Sequence, residues 1–259
     1  MNLKLLNKNI VVIGATGLIG SKTCESICEN GGDLVLFDIN KEKCNHLFQN
    51  LKKKYNNEIR CFFGDVGKKN DVVKLLKFIT KKNKKIDGLI NIQQYTSKKF
   101  FKNFESFDES EFDKIINVNL KGTFNTCQII GSYMADNKGG SIINFASTYS
   151  IVAPNMNLYK GTNMNSPAAY SASKGGIMAL TKYLGVYWAK KNLRVNQITP
   201  HGVYKNHDKK FIKNFNNLSP MGRMSKNNEV TGAIIFLLSN DSSYITSQNI
   251  IVDGGWSSW

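Results

Sequence analysis

Tyr170 and Lys174 are the two residues of this 259-residue chain whose types and spacing point most directly to proton chemistry. They stand four apart in Pro167-Ala-Ala-Tyr170-Ser-Ala-Ser-Lys174-Gly-Gly-Ile177. Pro167 suits the first turn of a helix and Ser166 suits its cap, so the spacing predicts a helix with both side chains on one face. A free phenol titrates near pH ~10, too high for easy proton exchange at neutrality, whereas a neighbouring ammonium favours the phenolate. Tyr-x-x-x-Lys can therefore act as an acid/base. Standing alone, the motif is explained equally well by an amphipathic helix that happens to carry a Tyr and a Lys.

Such a pair needs a scaffold. Ile10-Val-Val-Ile13 reads as a buried parallel strand, and it feeds Gly14-Ala-Thr16-Gly17-Leu18-Ile19-Gly20 and then a helix through Cys28. In that setting the glycines let a pyrophosphate approach backbone N–H groups at a helix start. Leu34 to Phe37 is a second strand, ending in Asp38. A carboxylate there can accept hydrogen bonds from ribose hydroxyls and repel a 2′-phosphate, which favours NAD over NADP. Lys41 nearby softens that preference, and Asp38 also suits a simple turn before the next helix.

The alternation continues through a strand Arg60 to Phe63 with Asp65-Val66 behind it, a basic helix from Asn70 to Lys82, and a strand Asp87 to Asn91. A helical pattern from Glu109 to Asp136 surrounds Asn119, and a strand from Ser141 ends in Ser147. Leu193 to Ile198 runs into Pro200-His201-Gly202, and a helix from Asn228 to Ser239 precedes a last strand, Asn249 to Asp253. The expected fold class is therefore α/β, a single-domain Rossmann-type doubly wound parallel sheet of about seven strands with helices on both faces. No linker or repeat divides residues 1–259. In such a sheet ligands bind beyond the carboxyl ends of the strands, and Gly14, Asp38, Asp65, Asn91, Ser147 and Pro200 all follow strands and gather along one rim.

With these pieces in order, the chain resembles the short-chain dehydrogenase/reductase family over nearly its whole length. The matching residues are the glycine loop, Asp38, Asp65-Val66, Asn119, Ser147, Tyr170-x-x-x-Lys174, Arg194-Val-Asn196, Pro200 and Asp253-Gly-Gly255. The resemblance implies that Tyr170 exchanges a proton with a substrate oxygen while a hydride passes to or from a nicotinamide. Lys174 would lower the Tyr170 pKa and hold the nicotinamide ribose, and Ser147 would hydrogen-bond the reacting oxygen. Asn119 would steady a water that relays protons to Lys174, although an Asn in a helix also suits a purely local bond. Contacts to the cofactor would come from Gly14, Thr16, Gly17, Leu18, Ile19, Gly20, Asp38, Asp65, Val66, Asn91, Tyr170, Lys174, Pro200 and Val203. The cofactor implied is NAD rather than NADP, with no metal.

The chain departs from the family's pattern in several places. Leu18 stands where short-subunit members usually carry a third close glycine, and the GxxGxxG spacing resembles the longer, sugar-nucleotide-modifying branch. Asn91-Ile-Gln-Gln94 replaces Asn-Asn-Ala-Gly, and Pro200-His201 replaces Pro-Gly. Tyr170 stands twenty-three positions after Ser147, more than the family's usual spacing. The extra segment, 153–166, reads as a substrate loop or a neutral insertion, and 203–224 falls where the family has its mobile substrate lid. His201, Tyr159, Tyr204 and Lys205 are the substrate candidates, with a packing or turn role competing for His201. Phe211, Phe215, Lys209, Lys210, Lys213 and Arg223 suit an anionic or sugar-linked substrate, or equally a solvated basic helix.

The inserted loop, the Asn91-Ile-Gln-Gln94 departure and the Val252 to Trp256 ending resemble oxidoreductases of flagellin-modification and surface-sugar pathways. A 3-oxoacyl-reductase-type NADPH ketoreductase, a sugar-nucleotide epimerase or dehydratase, and a non-catalytic NAD-binding sensor or scaffold are the rival readings. Family members are commonly tetramers, and Tyr183, Leu184, Val186, Tyr187 and Trp188 give the Tyr170 helix an apolar surface for a homotetramer or homodimer. The Trp256 to Trp259 ending is a second candidate for packing against a neighbour.

A net charge of +16 raises the possibility of nucleic acid. The lysines are nevertheless spread along the chain on what read as solvated faces, so no nucleic-acid partner is expected. The five cysteines include no CxxC pair and read as reduced packing thiols. No run approaches a membrane span and the first ten residues lack a signal-peptide core, which leaves the cytoplasm as the expected compartment.

Overall fold

The structure is a computed structural model that describes residues 3–81 and 85–259. Seven parallel strands form one sheet in the order β3-β2-β1-β4-β5-β6-β7. They are β1 (Asn9–Ile13), β2 (Asp33–Asp38), β3 (Ile59–Phe63), β4 (Gly88–Asn91), β5 (Gly140–Phe145), β6 (Leu193–Pro200) and β7 (Asn249–Val252). The order reverses between β1 and β4, where the carboxyl ends of neighbouring strands lead away in opposite directions and open a crevice.

The alternation of side chains along β1 builds a core on each face. Ile10 and Val12 join Leu34, Leu36, Ile143 and Ile198 beneath α1 (Leu18–Glu29), α2 (Lys41–Lys54) and α9 (Thr231–Leu238). Val11 and Ile13 join Val35, Phe37, Leu89 and Val195 on the other face, under α3 (Lys69–Thr80) and α7 (Ala168–Tyr187). α2 shows why its residues are helical: the Asn40 side chain accepts from Lys43 N at 2.9 Å, Glu42 lies in the first turn and Lys52, Lys53 and Lys54 in the last. The expected end of the basic helix at Lys82 lies outside the described residues.

The segment expected as one helix from Glu109 to Asp136 is helical throughout but not uniformly α. α4 (Glu109–Ile115), α5 (Gly122–Thr126) and α6 (Ser132–Asp136) are joined by π-helical turns at Ile116–Lys121 and Cys127–Gly131. The first of these turns contains Asn119. α7 starts one residue later than expected: Pro167 takes the cap position, and no side chain, Ser166 included, caps the helix. α9 begins at Thr231 rather than Asn228, whose carbonyl accepts from the Thr231 hydroxyl.

A smaller cluster sits beyond the carboxyl end of the sheet. Leu158 from a 3₁₀ turn (Met156–Tyr159) packs with Phe211 and Phe215 of α8 (Lys209–Leu218), with Met224 and with Trp256. The segments expected to be an inserted loop and a lid are thus packed onto each other. Trp256 is buried in this cluster and not free for a neighbour, while Trp259 is exposed. Among the described residues no helix is long and apolar enough to cross a membrane, and no group of three His, Cys, Asp or Glu is placed to hold a metal.

Candidate active site

Ser147 leaves β5 in extended conformation and caps the 3₁₀ turn Thr148–Ser150, its Oγ accepting from Tyr149 N at 3.3 Å. That turn brings the Ser147 hydroxyl to the Tyr170 phenol in the first turn of α7. Burial pushes the Tyr170 pKa up to about 12, and the Ser147 hydroxyl pulls against it. One helical turn on, Lys174 is 2% exposed; its Nζ donates to Phe145 O at 2.8 Å and lies 5.7 Å from the Tyr170 ring centroid. Burial alone brings the Lys174 pKa down to about 7. In the free protein desolvation outweighs any lowering of the Tyr170 pKa by Lys174. Both groups are desolvated, and each is pushed towards its neutral form.

Asn119 is fully buried and braces the site. Its Oδ1 accepts from Tyr95 N at 2.9 Å, and its Nδ2 donates to Ser173 Oγ at 3.1 Å. Ser173 in turn donates to Tyr170 O at 2.7 Å, so the loop after β4, the π turn and α7 are tied together behind the Tyr170 phenol. The π turn presents a polar side chain at an angle that a continuous α-helix would rotate away, the usual use of such turns.

The glycine loop fits a dinucleotide. A Cβ on Gly20 would collide with the Gly14 carbonyl, and one on Gly14 would come within 2.7 Å of Gln93 N, so only glycine permits this packing. Gly17 occupies the cap of α1 and no side chain caps the helix, which leaves its first N–H groups for an anion. Leu18 and Ile19 are half-buried, so the loss of a third glycine does not close the helix start. Asp38 Oδ2 accepts from Thr16 N at 2.9 Å and Oδ1 from Asn40 N at 3.1 Å. The carboxylate thus holds the turn, as one reading of the sequence had it, while standing at the end of β2. Lys41 is drawn over the Phe63 ring at 5.4 Å.

Other cofactor candidates take different places. Asp65 Oδ1 accepts from Gly67 N, and Val66 O accepts from Asn125 Nδ2, both fixing the turn after β3. The Asn91 side chain is committed inside the fold, donating to Asn144 Oδ1 at 2.8 Å and accepting from Thr126 Oγ1 at 2.8 Å. Any contribution from that position falls to its backbone. Gln93, the departure beside it, turns inward to Thr123 Oγ1 at 2.9 Å, while Gln94 is exposed. Pro200 ends β6 opposite Val252, and Val203 packs against the core and bridges Ser225.

The four substrate candidates divide. Tyr159 and His201 lie with Tyr170; Tyr204 and Lys205 do not. Tyr204 is exposed and lines a separate groove of about 780 Å³ with Lys22, Glu25 and Arg223, and Lys205 is exposed beside His207. His201 is 8% exposed, bonded through Nδ1 to Thr148 Oγ1 at 2.6 Å and tilted against the Trp256 ring at 4.4 Å. Burial brings its pKa down to about 4, with Asp253 opposing. Two aromatic walls were missed from sequence: Tyr149, whose ring meets that of Tyr170 at 6.5 Å, and Phe100, at 5.9 Å. Tyr149 lies two residues past Ser147, a position close enough to have flagged it. Nothing in the sequence around Phe100 marks it.

A sequence profile described as Enoyl-(Acyl carrier protein) reductase matches residues 14–257. The chain is 32% identical to an NAD-dependent glycerol dehydrogenase of Listeria innocua, over 97% of this chain and 94% of that one. It is 29% identical to the post-translational flagellin modification protein A of Campylobacter coli, over 97% and 99% respectively. A crystal structure of a short chain dehydrogenase from Leptospira borgpetersenii with bound NAD+ superposes with a TM-score of 0.88 at 30% identity, over 98% of this chain and 94% of that one.

Proposed function

The chain belongs to the short-chain dehydrogenase/reductase family, whose members oxidise alcohols and reduce carbonyls, and on that premise we propose that it does so with NAD(H) on a sugar or sugar-nucleotide-type substrate. The observation that carries the reading is the Ser147 hydroxyl set beside the Tyr170 phenol, with buried Lys174 one turn behind it. A nicotinamide dinucleotide, when bound, supplies the hydride acceptor or donor. Tyr170 gives its proton to a carbonyl oxygen on reduction and takes it back on oxidation. Ser147 orients that oxygen, and Lys174 and Asn119 hold the far side of the phenol in register.

Asp38 supports NAD: a carboxylate fixed at the end of β2 repels a 2′-phosphate, and Lys41, turned onto Phe63, is not paired with it. The names of the glycerol dehydrogenase and flagellin-modification relatives support a polyol or sugar substrate. The exposed Tyr183, Val186 and Tyr187 on α7 support assembly as a homotetramer or homodimer.

The test combines binding and turnover. NADH quenches or enhances fluorescence at lower concentration than NADPH in wild type and Tyr170→Phe alike, while the variant loses 10²–10⁴-fold in turnover, about the share of a general acid/base. Tighter NADPH binding would point to a biosynthetic ketoreductase. Unchanged turnover in Tyr170→Phe would leave only a binding protein.

A further inference from the structure

Beside the catalytic phenol lies a second pair of phenols. Tyr149 and Tyr159 place their hydroxyl oxygens 2.5 Å apart, and the Ser166 hydroxyl lies beside Tyr159. The ring of Tyr149 meets Tyr170 edge-on at 6.5 Å and His201 at 5.6 Å. Both phenols of the pair are half-buried, and burial holds both in the protonated form.

Two phenols carry two O–H protons, and only one can lie between the oxygens. The other proton is shared between the Ser166 hydroxyl beside Tyr159 and an outside acceptor, and the oxygens keep lone pairs for an outside donor. Nearby, His201 Nε2 is buried and has no hydrogen-bond partner. A substrate that is apolar next to its reacting carbon would leave these groups unmatched, and unmatched polar groups in a closed site are costly.

The pair exists because of the inserted loop, and α8 holds that loop still. Asn214 Nδ2 donates to Leu158 O and to Lys160 O, each at 3.1 Å, so a single side chain grips the backbone on both sides of Tyr159. Leu158 is buried against Phe211 and Phe215, and the Tyr159 ring lies tilted against Phe211 at 6.0 Å.

We propose that the Tyr149–Tyr159 hydroxyl pair recognises a second substrate hydroxyl on the carbon next to the reacting one. The substrate class is then a vicinal diol in the oxidative direction and an α-hydroxy ketone or aldehyde in the reductive one. The assignment rests on the oxidoreductase reading above. On oxidation the reacting O–H gives its proton to Tyr170 in its phenolate form and the carbinol C–H gives a hydride to oxidised nicotinamide, while the second hydroxyl is bound and unchanged.

The experiment compares 1,2-propanediol with 2-propanol under saturating NAD for wild type, Tyr149→Phe and Tyr159→Phe. The expected result is a diol preference in kcat/KM of at least about tenfold, the worth of one good hydrogen bond. Either substitution removes most of that preference, mainly through KM, and the double variant is no worse than a single one because the two phenols act as one unit. No preference in wild type, or a preference that survives both substitutions, overturns the assignment.

Calorimetric binding of hydroxyacetone against acetone, in the presence of NADH, reads the pair without turnover. Tighter hydroxyacetone binding that disappears in Tyr159→Phe upholds the pair even if neither alcohol is oxidised, in which case the oxidoreductase reading alone falls. Equal binding of the two ketones overturns the pair.

Discussion

At the scale of single residues, burial rather than pairing sets the chemistry. Tyr170 and Lys174 were legible because a four-residue spacing places two side chains on one helix face whatever surrounds it. Their proton affinities were not legible, because desolvation depends on the walls that close around them, and Phe100 and Tyr149 come from distant or unmarked segments. His201 shows the same physics with a measurable result. Its folded pKa of about 4 lies below the ordinary 6.5, so between those values the unfolded chain takes up a proton that the folded chain refuses. Stability therefore falls as pH drops through that window, by about 3 kcal/mol for a shift of this size. Asp253 opposes the shift without cancelling it. His201→Gln should flatten the loss of stability between pH 7 and pH 4.5 in urea unfolding. An equally steep loss in the variant would place the acid sensitivity elsewhere.

At the scale of elements, all seven strands were readable as short apolar runs between turn signals, since buried parallel strands leave that imprint. Helix ends and the two π turns were not, because one extra residue in a turn changes no side-chain pattern that a periodicity can register. The extra length before Tyr170 was evident by counting, but its docking on α8 was not. Leu158, Phe211 and Phe215 mark no shared element and meet only in space. This docking replaces the expected mobile lid with a clamped one. Leu158→Ala removes the central side chain of a small cluster and should cost about 2–4 kcal/mol locally. Limited proteolysis should then cut within 153–166 well below the temperature of global unfolding. If cutting and unfolding stay coincident, the loop is held by the main core instead.

At the scale of the whole molecule, one face of α7 has no cover among the described residues. On α7, Tyr183, Val186 and Tyr187 are each more than 60% exposed, with Tyr183 and Tyr187 stacked at 5.6 Å, whereas Leu184 and Trp188 turn inward to the core. The sequence named all five as surface; the helix can present only one side, and the structure divides them. Contiguous exposed apolar groups of this kind mark association sites. Val186→Lys with Tyr187→Lys should shift the mass by light scattering from a multiple to the single-chain value without lowering secondary structure by circular dichroism. A single-chain mass in wild type would refute the assembly.

Of the three tryptophans, Trp188 is locked in the core and Trp259 is 77% exposed, which leaves Trp256 alone at the substrate wall, against His201 and Phe215. The chain thus carries an intrinsic chromophore against His201 at the edge of the candidate site. With Trp188 and Trp259 replaced by Phe, emission would come from that one indole, turning ligand entry and the protonation of His201 into optical signals that need no added dye.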